Sequence, residues 1–266
     1  MPPRRGPVGD AAVPGRNATV SIPRFLVSRE ALEGRSTVLT GSELHHLRVR
    51  RLHTGSAVVL FDGSGQQRRA VVTSLDRRQA SIRYLDDELA QAESPLHLVL
   101  AQAVLKPSRF DLVIEKATEL GVNEIVAFTC ERSIQSAVSE RTARWSRIAA
   151  SAAKQCQRAT VPQVRGPVSF DKLLCREGPA LRLLFWEGAE GASLPAVAQR
   201  HRSCTSVLAV IGPEGGFCAP EAARAAAAGM EIVRLGTRIL RAETAAIIAL
   251  ALCQFLWGDL SGNAPR

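Results

Sequence analysis

Two segments of the chain combine glycines with charged side chains in a way that suits ligand chemistry. The first runs from Ile211 to Phe217 and holds three glycines, which let a ligand come close to the backbone. The second runs from Leu235 to Thr244 and carries Arg238, Arg241 and Glu243 just before an apolar stretch. Charges beside a buried helix are costly unless they pair or face a ligand. Both segments are therefore candidate sites.

Each segment also has a purely structural interpretation. The first contains neither GxxxxGK[ST] nor GxGxxG, so it is not a phosphate loop of either common type, and its glycines suit a tight turn with positive φ. In the second, Glu243 suits the positive end of a helix dipole and pairing with an arginine. The residues alone leave these alternatives open.

The elements that position these segments form a predicted parallel α/β sheet after Pro95. Apolar runs alternate there with helical stretches, which is typical of that fold class. Ser108 is expected to cap the first helix and Gly121 to end it. Ligands of open parallel sheets bind outside the carboxyl ends of the strands, where both segments must lie. The predicted strands are Leu96–Val104, Glu124–Thr129, Leu181–Trp186, Ser206–Ile211 and Ile232–Leu235.

The segment before Pro95 is predicted to be a separate, β-rich unit with short turns. Ser42 is expected to cap a short helix within it, and the best domain boundary is Glu93-Ser94-Pro95. The predicted division is a disordered tail over 1–21, a β domain over 22–92 and an α/β domain over 95–262. A transit peptide is the alternative for the tail. The predicted strands are Arg24–Val27, Val58–Phe61, Ala70–Leu75 and Ala80–Leu85.

The charge balance indicates a polyanionic partner. The chain has 34 Lys and Arg against 25 Asp and Glu, with a pI near 9.9. Codon bias of a GC-rich genome is an alternative cause of the arginine excess. In a helix predicted over Glu140–Arg158, an apolar face opposes a cationic one. The cationic face is either a phosphate-binding surface or an ordinary solvated one, and it holds Arg144, Arg147, Lys154 and Arg158.

Cysteine usage and hydropathy exclude several classes of protein. The six cysteines form no CxxC pair, so neither a zinc site nor a disulfide scaffold is expected. The thiols are expected to be reduced and the protein cytoplasmic. The apolar run Ala245–Trp257 is shorter than the roughly 20 residues of a membrane span, so it is predicted to be a core helix.

Several motifs resemble those of the ribosomal RNA uridine-N3 methyltransferases of the SPOUT superfamily. The resemblance covers nearly the whole chain from Ile22 to Asp259 and implies a SPOUT-type α/β domain with a trefoil knot, preceded by a PUA-like β-barrel. The most specific motifs are Ile211–Gly216 and Leu240–Thr244. The others are Leu60–Gly63, Glu119–Gly121, Glu131–Ser133, Gln155-Cys156 with Arg158, and Val161-Pro162.

The resemblance also implies a cofactor and a reaction. S-adenosylmethionine is expected to be held largely by backbone groups, without any metal. The methyl acceptor is N3 of a uridine in the decoding region of 16S ribosomal RNA, a weakly acidic imide nitrogen whose proton must leave. Arg241 is expected to stabilise the developing charge, with Glu214 or Glu243 orienting it or accepting the proton. The expected cofactor-binding residues are Ile211, Gly212, Glu214, Gly215, Gly216, Leu235, Gly236, Ile239 and Leu240.

The expected partners are the small ribosomal subunit, acting as substrate, and a second copy of the chain in a homodimer, with no membrane. Two other functions remain open on sequence alone. One is a SPOUT enzyme that methylates a ribose 2′-OH or a guanine, and the other is an RNA-binding assembly factor without turnover. The expected RNA contacts are Arg24, Arg48, Arg50, Arg51, Arg132, Arg144, Arg147 and Arg158.

Overall fold

The computed structural model describes residues 22–87, 92–134, 141–188 and 191–262. The predicted disordered tail over 1–21 lies outside this part of the chain. Two sheets are present, one of five strands and one of seven, and they share no strand. The chain passes from the first to the second between residues 87 and 97, which contain the predicted boundary at Glu93–Pro95.

The N-terminal sheet is a curled half-barrel closed by two short helices. Antiparallel pairing joins most of its strands, although the first strand pairs in parallel with residues 57–61. Register shifts between residues 67–75 and 80–87 bend the sheet. Phe25, Leu47 and Ile82 are fully buried inside it. The elements are β1 (Arg24–Leu26), α1 (Arg29–Glu33), β2 (Ser36–Leu39), α2 (Gly41–Val49), β3 (Ala57–Phe61), β4 (Gln67–Leu75) and β5 (Ala80–Asp87), in the sheet order β1-β3-β4-β5-β2.

The C-terminal sheet is parallel throughout, as the alternation of apolar runs predicts. The elements are β6 (His97–Ala103), α3 (Pro107–Glu119), β7 (Glu124–Thr129), α4 (Thr142–Cys156), β8 (Gln163–Ser169), α5 (Phe170–Leu174), β9 (Leu181–Phe185), β10 (Ala192–Ser193), α6 (Leu194–Arg200), β11 (Ser206–Ile211), α7 (Ala219–Ala227), β12 (Glu231–Arg234) and α8 (Ala242–Trp257). The sheet order is β10-β12-β9-β11-β6-β7-β8, so β11 lies between β6 and β9.

Helices cover both faces of this sheet, and successive strand residues therefore enter two different cores. Leu98 and Leu100 pack with α3, α4 and α8, whereas Val99 and Ala101 pack with α5 and α7. Burial on both faces explains why these strands read as continuous apolar runs rather than alternating ones. The predicted core helix is α8, although Phe255 on it is 57% exposed.

Several predicted details differ from the structure. The helix caps are Thr40 and Lys106 rather than Ser42 and Ser108, because each helix begins earlier than its serine. Gly121 does end α3, with φ of +78°. Strand β8 was missed because Gly166 and Pro167 interrupt it at an exposed edge of the sheet.

The two domains are joined by polar contacts around the end of α4. The backbone N–H of Val161 donates to Gly63 O at 2.9 Å, and Lys154 forms an ion pair with Glu43. Arg158 lies between the domains with a side chain that is 9% exposed. It donates to Glu93 at 2.7 Å and to the carbonyl of Thr118 at 2.8 Å.

Arg24 lies in the same junction and is 7% exposed. Its guanidinium donates to Gln67 and to the carbonyl of Arg158, and it lies over the ring of Phe61. The expectation that Arg24 and Arg158 contact RNA is therefore wrong, because both guanidinium groups are buried and hydrogen-bonded within the protein. Arg158 also lies beyond the end of α4 rather than on its cationic face.

None of the helices in the described ranges has both the length and the hydropathy needed to cross a membrane.

Replacing Arg158 by Met is expected to lower the free energy of unfolding by about 3 kcal/mol, because Glu93 and two carbonyls lose a buried cationic donor. Arg144→Met is the control, since Arg144 pairs with Asp111 at a side-chain exposure of 60% and its loss is expected to leave the free energy of unfolding nearly unchanged. Urea unfolding measures both. Equal losses in the two variants would contradict a structural role for Arg158.

Candidate functional site

The candidate site lies at the carboxyl edge of three neighbouring strands. The sheet register aligns Gln102, Ile211, Phe185 and Val233 in one row across β6, β11, β9 and β12. The chain leaves the sheet just beyond this row. The segments that follow β9, β11 and β12 therefore begin side by side, at the point where the order of strands reverses, which is where open α/β sheets bind ligands.

The segment after β11 is held by two side chains from other elements and by a turn of its own. Gln102, fully buried at the end of β6, donates to the carbonyl of Gly212 at 3.2 Å. Arg132 donates to the carbonyl of Gly215 at 3.0 Å. Gly216 has φ of +67° and closes a turn by donating to Pro213 O at 2.9 Å, so the tight-turn interpretation holds at this glycine.

A pocket lies between the segments after β9 and β12. Four of the expected cofactor-binding residues line it, namely Leu235, Gly236, Ile239 and Leu240. Ile239 is 86% exposed, which leaves a large apolar side chain on the pocket wall for a ligand to cover. On the β9 side the lining residues are Phe185, Trp186 and Glu187.

The glycine segment adjoins this pocket without lining it. An added Cβ at Gly216 would lie 2.1 Å from a carboxylate oxygen of Glu187, so the two segments are in direct contact. Ile211 and Gly212 are buried. Glu214 lies beside Lys106, and Gly215 lies beside Arg132. The predicted cofactor set therefore forms one continuous region in space.

The three predicted catalytic residues do not form one ion-pair cluster. Glu214 and Glu243 do lie near the same cation, but that cation is Arg109 of α3, at 3.6 Å from Glu214 and 3.7 Å from Glu243. Arg241 is exposed at the start of α8, and its side chain makes no ion pair or hydrogen bond with the described residues. Of the roles expected for Glu214 and Glu243, orienting Arg241 finds no support in these contacts, and accepting the substrate proton stays a prediction.

A cluster of acidic and thiol groups follows the glycine segment. Glu221 accepts the backbone N–H groups of Cys218 at 3.0 Å and of Glu131 at 2.9 Å, and the thiol of Cys218 donates to Glu131 at 3.2 Å. These atoms lie close enough to hold a metal, but the buried carboxylate of Glu221 already has two partners. Glu221 caps α7 and ties it to residues 130–134, and the expected absence of a metal stays a prediction.

Comparison with known proteins identifies the family. A model described as an RNA methyltransferase domain matches residues 92–254, and one described as an RNA methyltransferase PUA domain matches residues 39–84. A Synechocystis protein named ribosomal RNA small subunit methyltransferase E is 34% identical over 231 residues, covering 86% of this chain and 76% of the relative. The chain belongs to this methyltransferase family.

Two further members extend the comparison. The Bacillus subtilis protein of the same name is 28% identical over 90% of this chain and 97% of its own length. The crystal structure of the Neisseria gonorrhoeae protein of that name, bound to S-adenosyl methionine, is 33% identical and covers 90% of this chain and all of its own, with a TM-score of 0.84. The family resemblance of the sequence motifs is thus confirmed, as is a PUA domain before a parallel-sheet methyltransferase domain.

Sequence reasoning missed three parts of the site. Arg109 and Gln102 stand on α3 and β6, which come more than 100 residues before the glycine segment, and nothing in the sequence specifies that β11 inserts beside β6. Glu187 had a usable signal, because it directly follows a predicted strand of the parallel sheet. The carboxyl-end rule applied to that strand would have found it.

The remaining arginines expected to contact RNA form two exposed groups. Arg48, Arg50 and Arg51 lie at the end of α2, where Arg50 donates to His46 at 3.4 Å. Burial, followed by the charge of Lys154, lowers the pKa of His46, which keeps this ring neutral and able to accept. Arg147 lies on α4 with Arg144, and Arg132 lies beside the glycine segment.

Proposed function

We propose that the chain transfers a methyl group from S-adenosylmethionine to N3 of a uridine in the decoding region of 16S ribosomal RNA. The observation that carries the proposal is the match, over nearly the whole chain, to proteins named ribosomal RNA small subunit methyltransferase E, one of them bound to S-adenosyl methionine. The pocket beside the three strand ends supports it. A cytoplasmic location belongs to the same proposal, and the six free cysteines agree with it.

The residues of the pocket fit this cofactor. It joins an adenine ring to a ribose and a charged methionine chain, and when bound it supplies an electrophilic methyl group on a sulfonium. The exposed side chain of Ile239 offers an apolar wall for the ring. Backbone groups at Gly236 are approachable because no heavy atom lies within 4 Å of where a Cβ would stand. The proposed set remains Ile211, Gly212, Glu214, Gly215, Gly216, Leu235, Gly236, Ile239 and Leu240.

A trefoil knot over the segments after β9 and β12 is part of the proposal. The order of strands supports it, because β11 inserts between β6 and β9 although both precede it in the chain. Residues 234–240 line the pocket on one side, and Phe185–Glu187 line it on the other. The chain then enters α8, whose residue Ala245 also lines the pocket. Such a passage would fix both walls of the cofactor site at once.

The substrate RNA is proposed to contact Arg48, Arg50 and Arg51 on the N-terminal domain and Arg132, Arg144 and Arg147 on the other. These side chains are exposed, and Arg147 has no acidic partner among the described residues. Each lost phosphate contact is expected to reduce the slope of log affinity against log salt by about 0.7–0.9. An unchanged slope after neutralising Arg144 and Arg147 together would contradict this surface.

A homodimer is proposed because α8 leaves apolar surface uncovered next to the cofactor pocket. Phe255 is 57% exposed, and with Ile248, Leu252 and Leu256 it borders a groove that also includes Leu240. A second copy seated there would close one side of the cofactor pocket, since Leu235, Gly236 and Leu240 line both cavities. Sedimentation at micromolar concentration tests this, and a fully active monomer would contradict it.

The chemistry of the reaction places demands on Arg241, Glu214 and Glu243. Uridine N3 is protonated at neutral pH, so the proton must pass to a base while charge develops on the uracil oxygens. Either Glu214 or Glu243 is proposed to accept this proton. Arg241 is proposed to donate to the uracil oxygens, because its exposed guanidinium is not engaged by any carboxylate of the described residues.

The activity itself is tested by incubating the protein with labelled S-adenosylmethionine and small subunits that lack the modification, followed by nucleoside mapping. We expect label in 3-methyluridine from 16S ribosomal RNA. Label in a ribose 2′-OH or a guanine would identify a different methyltransferase. Cofactor binding without any transfer would indicate an assembly factor, and either result would contradict the proposal.

Replacing Arg241 by Ala is expected to lower the single-turnover rate by roughly 10²–10³, the loss typical of one oxyanion donor, with cofactor affinity nearly unchanged. Arg241→Lys is expected to recover little, because an ammonium lacks the planar fork of donors. Arg202→Ala is the control, since Arg202 is exposed beyond α6 at the other edge of the sheet. A rate near wild type in Arg241→Ala would make Arg241 structural, and an equal loss of cofactor binding would place it in the cofactor pocket.

A further inference from the structure

One guanidinium connects two segments of the proposed active site that are far apart in sequence. Nη1 of Arg109 lies 3.6 Å from Oε1 of Glu214, and Nε lies 3.7 Å from Oε1 of Glu243. Glu214 belongs to the glycine segment after β11, and Glu243 to the first turn of α8. Arg109 itself lies in the first turn of α3, so three elements meet at this side chain.

The cluster is partly shielded from solvent, most of all at Glu243. The side-chain exposures are 35% for Arg109, 22% for Glu214 and 12% for Glu243. Oε2 of Glu243 is buried without a hydrogen-bond partner among the described residues, and Arg109, beside Oε1, is the one cation that pairs with this carboxylate there. Removing one partner of a desolvated pair leaves the other charge uncompensated, which is more costly than the pair itself is worth.

The two carboxylates are not anchored equally. Glu214 also accepts the backbone N–H of Lys106 at 3.2 Å, and its segment keeps the hydrogen bonds from Gln102 to Gly212 and from Arg132 to Gly215. The described contacts give Glu243 no cation besides Arg109. Glu243 stands two residues after Arg241, so the position of Arg109 fixes where α8 begins relative to the glycine segment.

We propose that Arg109 is a positioning residue for methyl transfer. It holds the start of α8, with Arg241, at a fixed distance from the segment that carries Glu214. The proposal rests on the proposed function, since it assumes that the cofactor and the uracil meet between these segments. Holding reactants in line is a large part of catalysis, and a shift of about 1 Å can lower a rate about 100-fold.

The geometry requires arginine at this position rather than another cation. Nε faces Glu243 while Nη1 faces Glu214, so two different nitrogens of one rigid plane address two carboxylates. A lysine carries its charge on one atom and is able to approach only one of them closely. Arg109→Lys is therefore expected to keep one of the two ion pairs, whereas Arg109→Met keeps neither.

The test measures single-turnover methyl transfer at saturating S-adenosylmethionine and small subunits. Arg109→Met is expected to lower the rate about 100-fold and Arg109→Lys about 10-fold, with the calorimetric affinity for the cofactor changed less than about threefold because the other anchors of the glycine segment remain. Arg200→Met is the matched control, since Arg200 pairs with Glu231 at the opposite edge of the sheet and is expected to leave the rate unchanged.

A double variant separates positioning from direct contact with the substrate. If Arg109 acts through Glu243, Arg109→Met combined with Glu243→Gln loses little more than the larger single loss. Rate losses that multiply, or a lower melting temperature with a wild-type rate, would overturn the proposal. If Arg109→Met fails to fold, Arg109→Lys carries the test, and a wild-type rate there overturns it. An inactive wild-type protein would instead contradict the proposed function.

Discussion

The site depends on the insertion of β11 between β6 and β9. Hydrogen bonding on both edges of β11 brings the ends of β6, β9 and β12 into one row, and each of the chemically interesting segments leaves the sheet from that row. Without this insertion Gln102 would not reach Gly212, and Glu187 would not touch Gly216. The sheet order thus produces the pocket, and the side chains refine it.

The second constraint is electrostatic. Packing α3 and α8 against the same face of the sheet brings their first turns next to the glycine segment and buries Glu243 of α8. Carboxylates placed there need a cation, and Arg109 supplies it from α3. Arg241 lies at the surface without an ion-pair partner among the described residues, so its guanidinium is free to meet a substrate.

The sequence predicted the strands and loops well where burial dictated the pattern. The two-sided burial of β6, β7, β9 and β11 made continuous apolar runs, and glycines marked the segment after β11. The predicted caps were wrong because α3 begins at Pro107 and α2 at Gly41, before the nearest serines. Arg109 was not predictable, since its partners lie more than 100 residues away and meet it only through the sheet order. Helical periodicity likewise grouped Arg158 with exposed arginines, although the domain junction buries it.

The segments after β9, β11 and β12 are proposed to form the cofactor site together. Hydrogen exchange of the full chain with and without S-adenosylmethionine tests this proposal most directly. The structure predicts added protection in residues 186–188, 212–217 and 235–240, with little change in the N-terminal domain or at the opposite edge of the sheet near residues 201–205. Protection that is confined to the N-terminal domain, or that leaves the glycine segment unchanged, would contradict this account.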